Sequence, residues 1–201
     1  IACFYKEGDS LMPPKPTICT DDVLNAAINL IKTGGIGSVN ARSIAASLNC
    51  STKPLFRLYE NMEKLKEDLY DNALGYFYEY LRKNGDDSMD MFLSFGMNYI
   101  QFACDEKELF KYIFLSSNMQ FKSLDELTNF PDLSYLIQFI ASSTGLNERT
   151  AKELFLKMWL FVHGIAAMFA TNPCNLDTQE IERILIETFK AQFIYLKSEV
   201  Q

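Results

Sequence analysis

Apolar residues recur at spacings of three and four along nearly the whole chain, and strict alternation is scarce, so the pattern predicts helices throughout. A first helix carries the stripe Leu24, Ala27, Ile28, Ile31, with Thr20 as its cap and Asp21 and Asp22 suited to the positive end of its dipole. Thr33-Gly34-Gly35-Ile36-Gly37 ends it. Asn40 then caps a short helix, Ala41 to Leu48, which buries Ile44, Ala45 and Leu48, and Asn49 occupies a turn where a left-handed backbone is tolerable. Ser51 is expected to cap a third helix of eight or nine residues, with Pro54 in its first turn and Leu55 and Leu58 facing inward, ending near Tyr59. Asn61 caps a long fourth helix carrying Leu65, Leu69, Ala73, Phe77 and Tyr80 and running to Asn84-Gly85. Further helices are expected over 88–104, 106–118, about 132–143, 147–171 and 178–198. The stretch 118–132 reads as loop or a short helix.

Charge sharpens this picture. The chain of 201 residues has a formal net charge of −7. Residues 12–66 hold seven Lys or Arg against four acids, a net of +3, whereas residues 67–201 hold eleven against twenty, a net of −9. A small cationic head therefore precedes an acidic body, which permits nucleic-acid binding despite the acidic whole. Two short helices joined by a Leu-Asn-Cys-Ser turn and braced by a first helix make a helix-turn-helix. Its second short helix exposes Thr52, Lys53, Phe56 and Arg57 to a major groove, with Asn40, Arg42, Ser51, Tyr59 and Lys64 as flanking candidates.

The stretch SVNARSIAASLNCSTKPLFRLYENMEKL, with Ile44-Ala45, the turn Asn49-Cys50-Ser51, Phe56, Tyr59, Asn61, Glu63 and Leu65, resembles the TetR (tetracycline repressor-like) transcriptional regulators in spacing. The resemblance spans about 50 residues, Thr20 to Tyr70. It departs where the family usually has Gly (here Asn49), Tyr (here Phe56) and Lys (here Met62); the last two commonly touch phosphate, and Lys64 or Lys66 is the expected substitute cation. The segment MWLFVHGIAAMF, with Trp159, Val162, His163 and Gly164, is similar to the WHG-type C-terminal domain of one TetR subgroup. The resemblance implies an all-α protein: a three-helix DNA-binding head at 20–66, joined by a long helix to a ligand-binding and dimerisation bundle at 67–201. Residues 1–19 form an N-terminal extension; its first eleven lack the basic start and long apolar region of a signal peptide, and, with Met12 as an alternative start, are open to being either native or an upstream remnant.

The body holds most of the sixteen Phe, ten Tyr and eight Met. An aromatic face of this kind is either plain core or a pocket wall; the family resemblance favours a chamber for a small apolar or amphipathic effector. The expected lining is Phe77, Tyr80, Phe95, Tyr99, Phe102, Phe114, Trp159 and His163, with His163 equally readable as a satisfied core histidine. Gly164, costly inside a helix, suggests a close helix crossing or a pocket wall. The last helix carries a stripe of Ile181, Ile184, Leu185, Thr188, Phe189 and Gln192. With Leu160 and Met168 on the preceding, very apolar helix, it offers more hydrophobic surface than one bundle uses, so a homodimer is expected there.

Other classes fit poorly. One His, five irregularly spaced Cys without a CxxC pair and no phosphate-cradling Gly-rich loop give no catalytic set, no metal ligands and no cofactor site. The longest apolar run, Met158–Ala170, is shorter than the ~20 residues that span a bilayer, so the expected setting is cytoplasmic with no membrane partner. The remaining alternative to a ligand-responsive repressor on a palindromic operator is a helical adaptor whose head contacts protein instead of DNA.

Overall fold

The computed structural model describes residues 18–84, 91–119, 123–124, 126–128, 133–173 and 177–199. The N-terminal extension before Ile18 and the expected helix start at 88 lie outside the described residues. Among those described, every regular element is helical: α1 (Thr20–Gly34), α2 (Ala41–Ser47), α3 (Leu55–Leu58), α4 (Met62–Lys83), α5 (Met91–Asp105), α6 (Lys107–Phe114), α7 (Ser134–Thr144), α8 (Glu148–Thr171) and α9 (Thr178–Glu199). Short 3-10 turns cover Ile36–Ser38 and Glu126–Thr128.

Local chemistry sets most boundaries. Asn61 and Asn147 cap α4 and α8 by accepting the Lys64 and Thr150 N–H groups at 2.8 and 3.0 Å. Asn49 sits at φ 50, the left-handed turn expected of it. Gly145 ends α7 at φ 72. At α1 the cap is Cys19 instead of Thr20: the Asp22 carboxylate accepts both the Cys19 N–H and its thiol, at 2.9 and 3.1 Å.

Two helices are shorter than their apolar patterns suggest. Ser51 does not start α3; Pro54 does, and the helix is a single turn of four residues. The residue before a proline is disfavoured in helical backbone, so regular helix waits until Pro54 has passed. Leu58, expected inside, is 39% exposed. The helix α6 stops at Phe114 because Ser116 turns back: its hydroxyl donates to the Tyr112 carbonyl and accepts the Asn118 N–H, competing with the ladder.

The core is two clusters. The larger begins in the head with Val23, Ile31, Ile44 and Leu55, continues along the buried stripe Leu65, Leu69, Ala73, Phe77 of α4, and reaches Tyr99, Phe102, Phe110 and Ile113 in α5 and α6. The smaller joins Ile137 and Ile140 of α7 to Leu154, Phe155 and Met158 of α8 and Leu196 of α9. By length and composition α8 would cross a bilayer, because its helix extends well before the apolar run. Here it is the central helix, packed most closely on α5 and α7.

Candidate nucleic-acid interface and apolar chamber

In the head, α2 and α3 are held on α1 by Ile44 and Leu55, both essentially fully buried. Their opposite faces are wet. Arg42, Lys53, Arg57 and Lys66 are exposed and make no ion pair among the described residues, while Lys64 is engaged by Glu67 at 2.8 Å. Phe56 is 50% exposed on the same single turn as Arg57, and Thr52 is half-buried beside exposed Ser51. Asn40 is exposed, but its side-chain oxygen is committed to capping α2, accepting the Arg42 and Ser43 N–H groups at 3.0 Å each. Tyr59 is the exception to the expected DNA face: it is only 4% exposed and packs into the head core, which leaves its ring no reach to a ligand outside. Its phenol is pushed above the usual tyrosine range by burial, then by the Asp68 and Asp21 carboxylates.

Head and body meet at a polar joint that the sequence did not announce. Lys32 of α1 donates to the Tyr76 hydroxyl of α4 at 2.9 Å and reaches the Glu106 carboxylate at 2.5 Å; Tyr76 in turn donates to Glu106 at 2.8 Å. The Lys32 ammonium also lies 4.6 Å from the Tyr76 ring centroid. Burial pushes the Lys32 pKa down, but the Glu106 and Tyr76 contacts outweigh it and the net shift is upward. Next to this joint the chain passes Gly35 at φ 68, where any Cβ would stand 2.8 Å from a Glu108 carboxylate oxygen.

In the body, a cavity of about 310 Å³ lies between α5, α8 and α9. Phe95 and Trp159, both expected, line it; so do Leu185 and Phe189, which were expected at a dimer interface, and Phe92, Met158, Val162 and Lys190, for which no role was expected. The other expected wall residues are elsewhere. Phe77, Tyr99 and Phe102 are fully packed, joined to Phe110 and Phe114 by edge-to-face and tilted ring contacts of 4.9–6.4 Å. Tyr80 closes the α4–α5 contact by donating to Asp105 at 2.5 Å. His163 adjoins the cavity without lining it: its ring stacks on Trp159 at 4.8 Å and 13°, and its Nδ1 is hydrogen-bonded to the Tyr99 hydroxyl at 3.0 Å. Burial holds the imidazole pKa below its ordinary value and pushes the Tyr99 phenol well up.

The outer faces of α8 and α9 also differ in part from expectation. Leu160 and Met168 are exposed, at 43% and 51%, and Gly164 between them faces open space, so it forms neither an internal crossing nor a pocket wall. Close packing is found instead at Gly96, whose Cβ would touch Val162 and Leu185 at 3.5 and 3.6 Å. Ile181 and Leu185 point into their own bundle and Phe189 lines the cavity, so they are covered without a second chain. Ile184, Thr188 and Gln192 are half-buried, and Ile194 and Tyr195 are exposed large side chains on the same helix.

No family model matches the chain. Over 99 residues it is 30% identical to the biofilm operon icaADBC HTH-type negative transcriptional regulator IcaR of Staphylococcus epidermidis. The match covers 48% of this chain and 53% of IcaR, so the chain spans about half the length of the curated relative it resembles. IcaR is by name an HTH-type negative transcriptional regulator.

Proposed function

We propose that this protein is a DNA-binding transcriptional repressor of the TetR type, with a DNA-reading head at 20–66 and an effector-binding, dimerising body beyond it. The observation that carries this is the wet face of α3. Arg57 on this turn and Lys53 just ahead of it make no ion pair among the described residues and flank an exposed Phe56, while Leu55 anchors the other side of the turn in the core. Arg42 and Lys66 extend the same cationic end. The partial match to a named negative regulator supports repression.

Pairing of two chains through the face of α8 that presents Leu160, Gly164 and Met168, with Ile184, Thr188 and Gln192 of α9 beside it, supplies the second head that a palindromic site requires. Gly164, bare on that face, lets a partner helix approach closely. A small apolar or amphipathic effector enters the cavity between α5, α8 and α9. There it favours one dimer geometry over another, a coupling of typically ~1 to 3 kcal/mol, and repositions the heads through α4.

The test is enrichment of duplexes from a random pool by the purified protein. An enriched inverted repeat whose binding weakens in Arg57→Ala supports the proposal; the absence of any enriched sequence counts against it. The exposed Phe56 and Leu58 also favour an adaptor whose head docks on a protein. That alternative predicts duplex binding without a steep dependence on salt.

A further inference from the structure

We propose that the effector is a monoanionic amphiphile: an apolar chain lying between α5, α8 and α9 with its carboxylate-type headgroup held outside by Lys190. This rests on the body being an effector chamber and specifies what that chamber takes.

The cavity walls are almost wholly apolar, built from side chains such as Phe92, Phe95, Met158 and Leu185. At about 310 Å³ it is at the small end of ligand pockets, which run from about 300 to 1,000 Å³. A charged group placed among these side chains would find no opposite charge, so the enclosed part of the ligand is hydrocarbon. One lining residue is charged. Lys190 is exposed at the edge and makes no ion pair among the described residues.

A second, polar groove runs on along α9, lined by Gln179, Glu182, Arg183 and Glu187, and it shares Ile186 and Lys190 with the apolar cavity. Apolar chamber and wet vestibule are thus contiguous, and Lys190 stands where they join. Within the vestibule Arg183 is bonded to Glu187 at 3.0 and 3.1 Å, so that acid, one turn from Lys190, is already neutralised. The Lys190 ammonium is therefore the charge standing at the joint itself, with Glu182 two turns further along the groove, and it attracts an anionic headgroup and repels a cationic one. Lys190 is also on the solvent side, so a headgroup there keeps part of its hydration.

Trp159, the chain's single tryptophan, lines the cavity and reports its occupancy directly by fluorescence. The full chain is titrated with decanoate, decanol and decyltrimethylammonium, each below its micelle concentration. Decanoate is expected to bind about fivefold more tightly than decanol, the scale of an exposed ion pair, and the ammonium compound most weakly. In Lys190→Met the decanoate advantage falls to within about twofold while decanol binding is unchanged. Equal binding of decanoate and decanol by the native chain, or an advantage that survives in Lys190→Met, overturns the headgroup assignment and leaves the chamber standing. No fluorescence response to any of the three overturns both.

Discussion

The ammonium of Lys32 in α1 and the carboxylate of Glu106, between α5 and α6, meet at 2.5 Å with the Tyr76 hydroxyl of α4 closing the triangle. Two helices and the junction between α5 and α6, distant in the chain, are fixed by one polar contact. Both charged groups are half-buried, so removing one leaves the other incompletely solvated. Lys32→Met is expected to lower stability by about 1 to 3 kcal/mol, between the exposed and fully buried limits. Urea denaturation of Lys32→Met, Glu106→Gln and the double variant checks it. The two losses should be non-additive by at least ~0.5 kcal/mol; simple additivity would mean the groups do not cooperate.

Alkali should unfold the protein steeply. Burial pushes the Tyr112 phenol up to about 12 and raises Tyr80 and Tyr99 as well, and Lys32 is held above the usual lysine range. Each group prefers its proton more in the folded state. Their stabilisation is therefore complete below about pH 10 and lost as pH rises past it. Tyrosinate absorbance should appear together with loss of helix; tyrosines ionising in a still-folded chain would contradict this.

His163 acts in the opposite direction. Its folded pKa is depressed, so its contribution is present above about 6.5 and lost as pH falls below. Replacing it by Asn should flatten the slope of stability against pH between about 5 and 7. An unchanged slope would show that the ring titrates as freely as in the unfolded chain.

On an enriched operator, Lys53→Ala and Arg57→Ala should weaken binding, and each lost phosphate contact should reduce the salt slope by about one. A residue that reads a base instead weakens binding with a change in sequence preference and little change in slope. Lys64→Ala should do less than Lys66→Ala, because Lys64 is already occupied by Glu67.

Leu160→Glu combined with Met168→Glu should convert the proposed dimer to monomers in sedimentation velocity without loss of helicity, since neither side chain supports its own bundle. Sedimentation unchanged from the native chain would move the interface elsewhere.

Helix identity was largely legible because stripes such as Leu65, Leu69, Ala73, Phe77 and caps such as Asn61 and Asn147 act within a few residues. The left-handed Asn49 was legible for the same reason. The extent of α3 was not, since in the sequence a proline inside a first turn looks the same as Pro54, which is the boundary itself. Among the ring-bearing residues, the pattern could not separate Tyr99, packed solid, from Phe95, which lines space: both lie on α5, and only its neighbours decide which side is filled. Leu185 raised a related ambiguity, because a stripe does not say whether its own bundle or another chain covers it. The joint of Lys32, Tyr76 and Glu106 joins positions 30 or more residues apart and leaves no periodic trace.

The unbroken packing from Ile31 and Ile44 through Phe77 to Phe110 has a consequence for taking the molecule apart. Heating should give one calorimetric endotherm, because no seam separates a head that melts by itself. A fragment ending at residue 66 would lack the Phe110 and Ile113 layer of its own core and should be poorly folded. The cationic end is one extremity of a continuous packed core, so turning it means repacking side chains deep in the body.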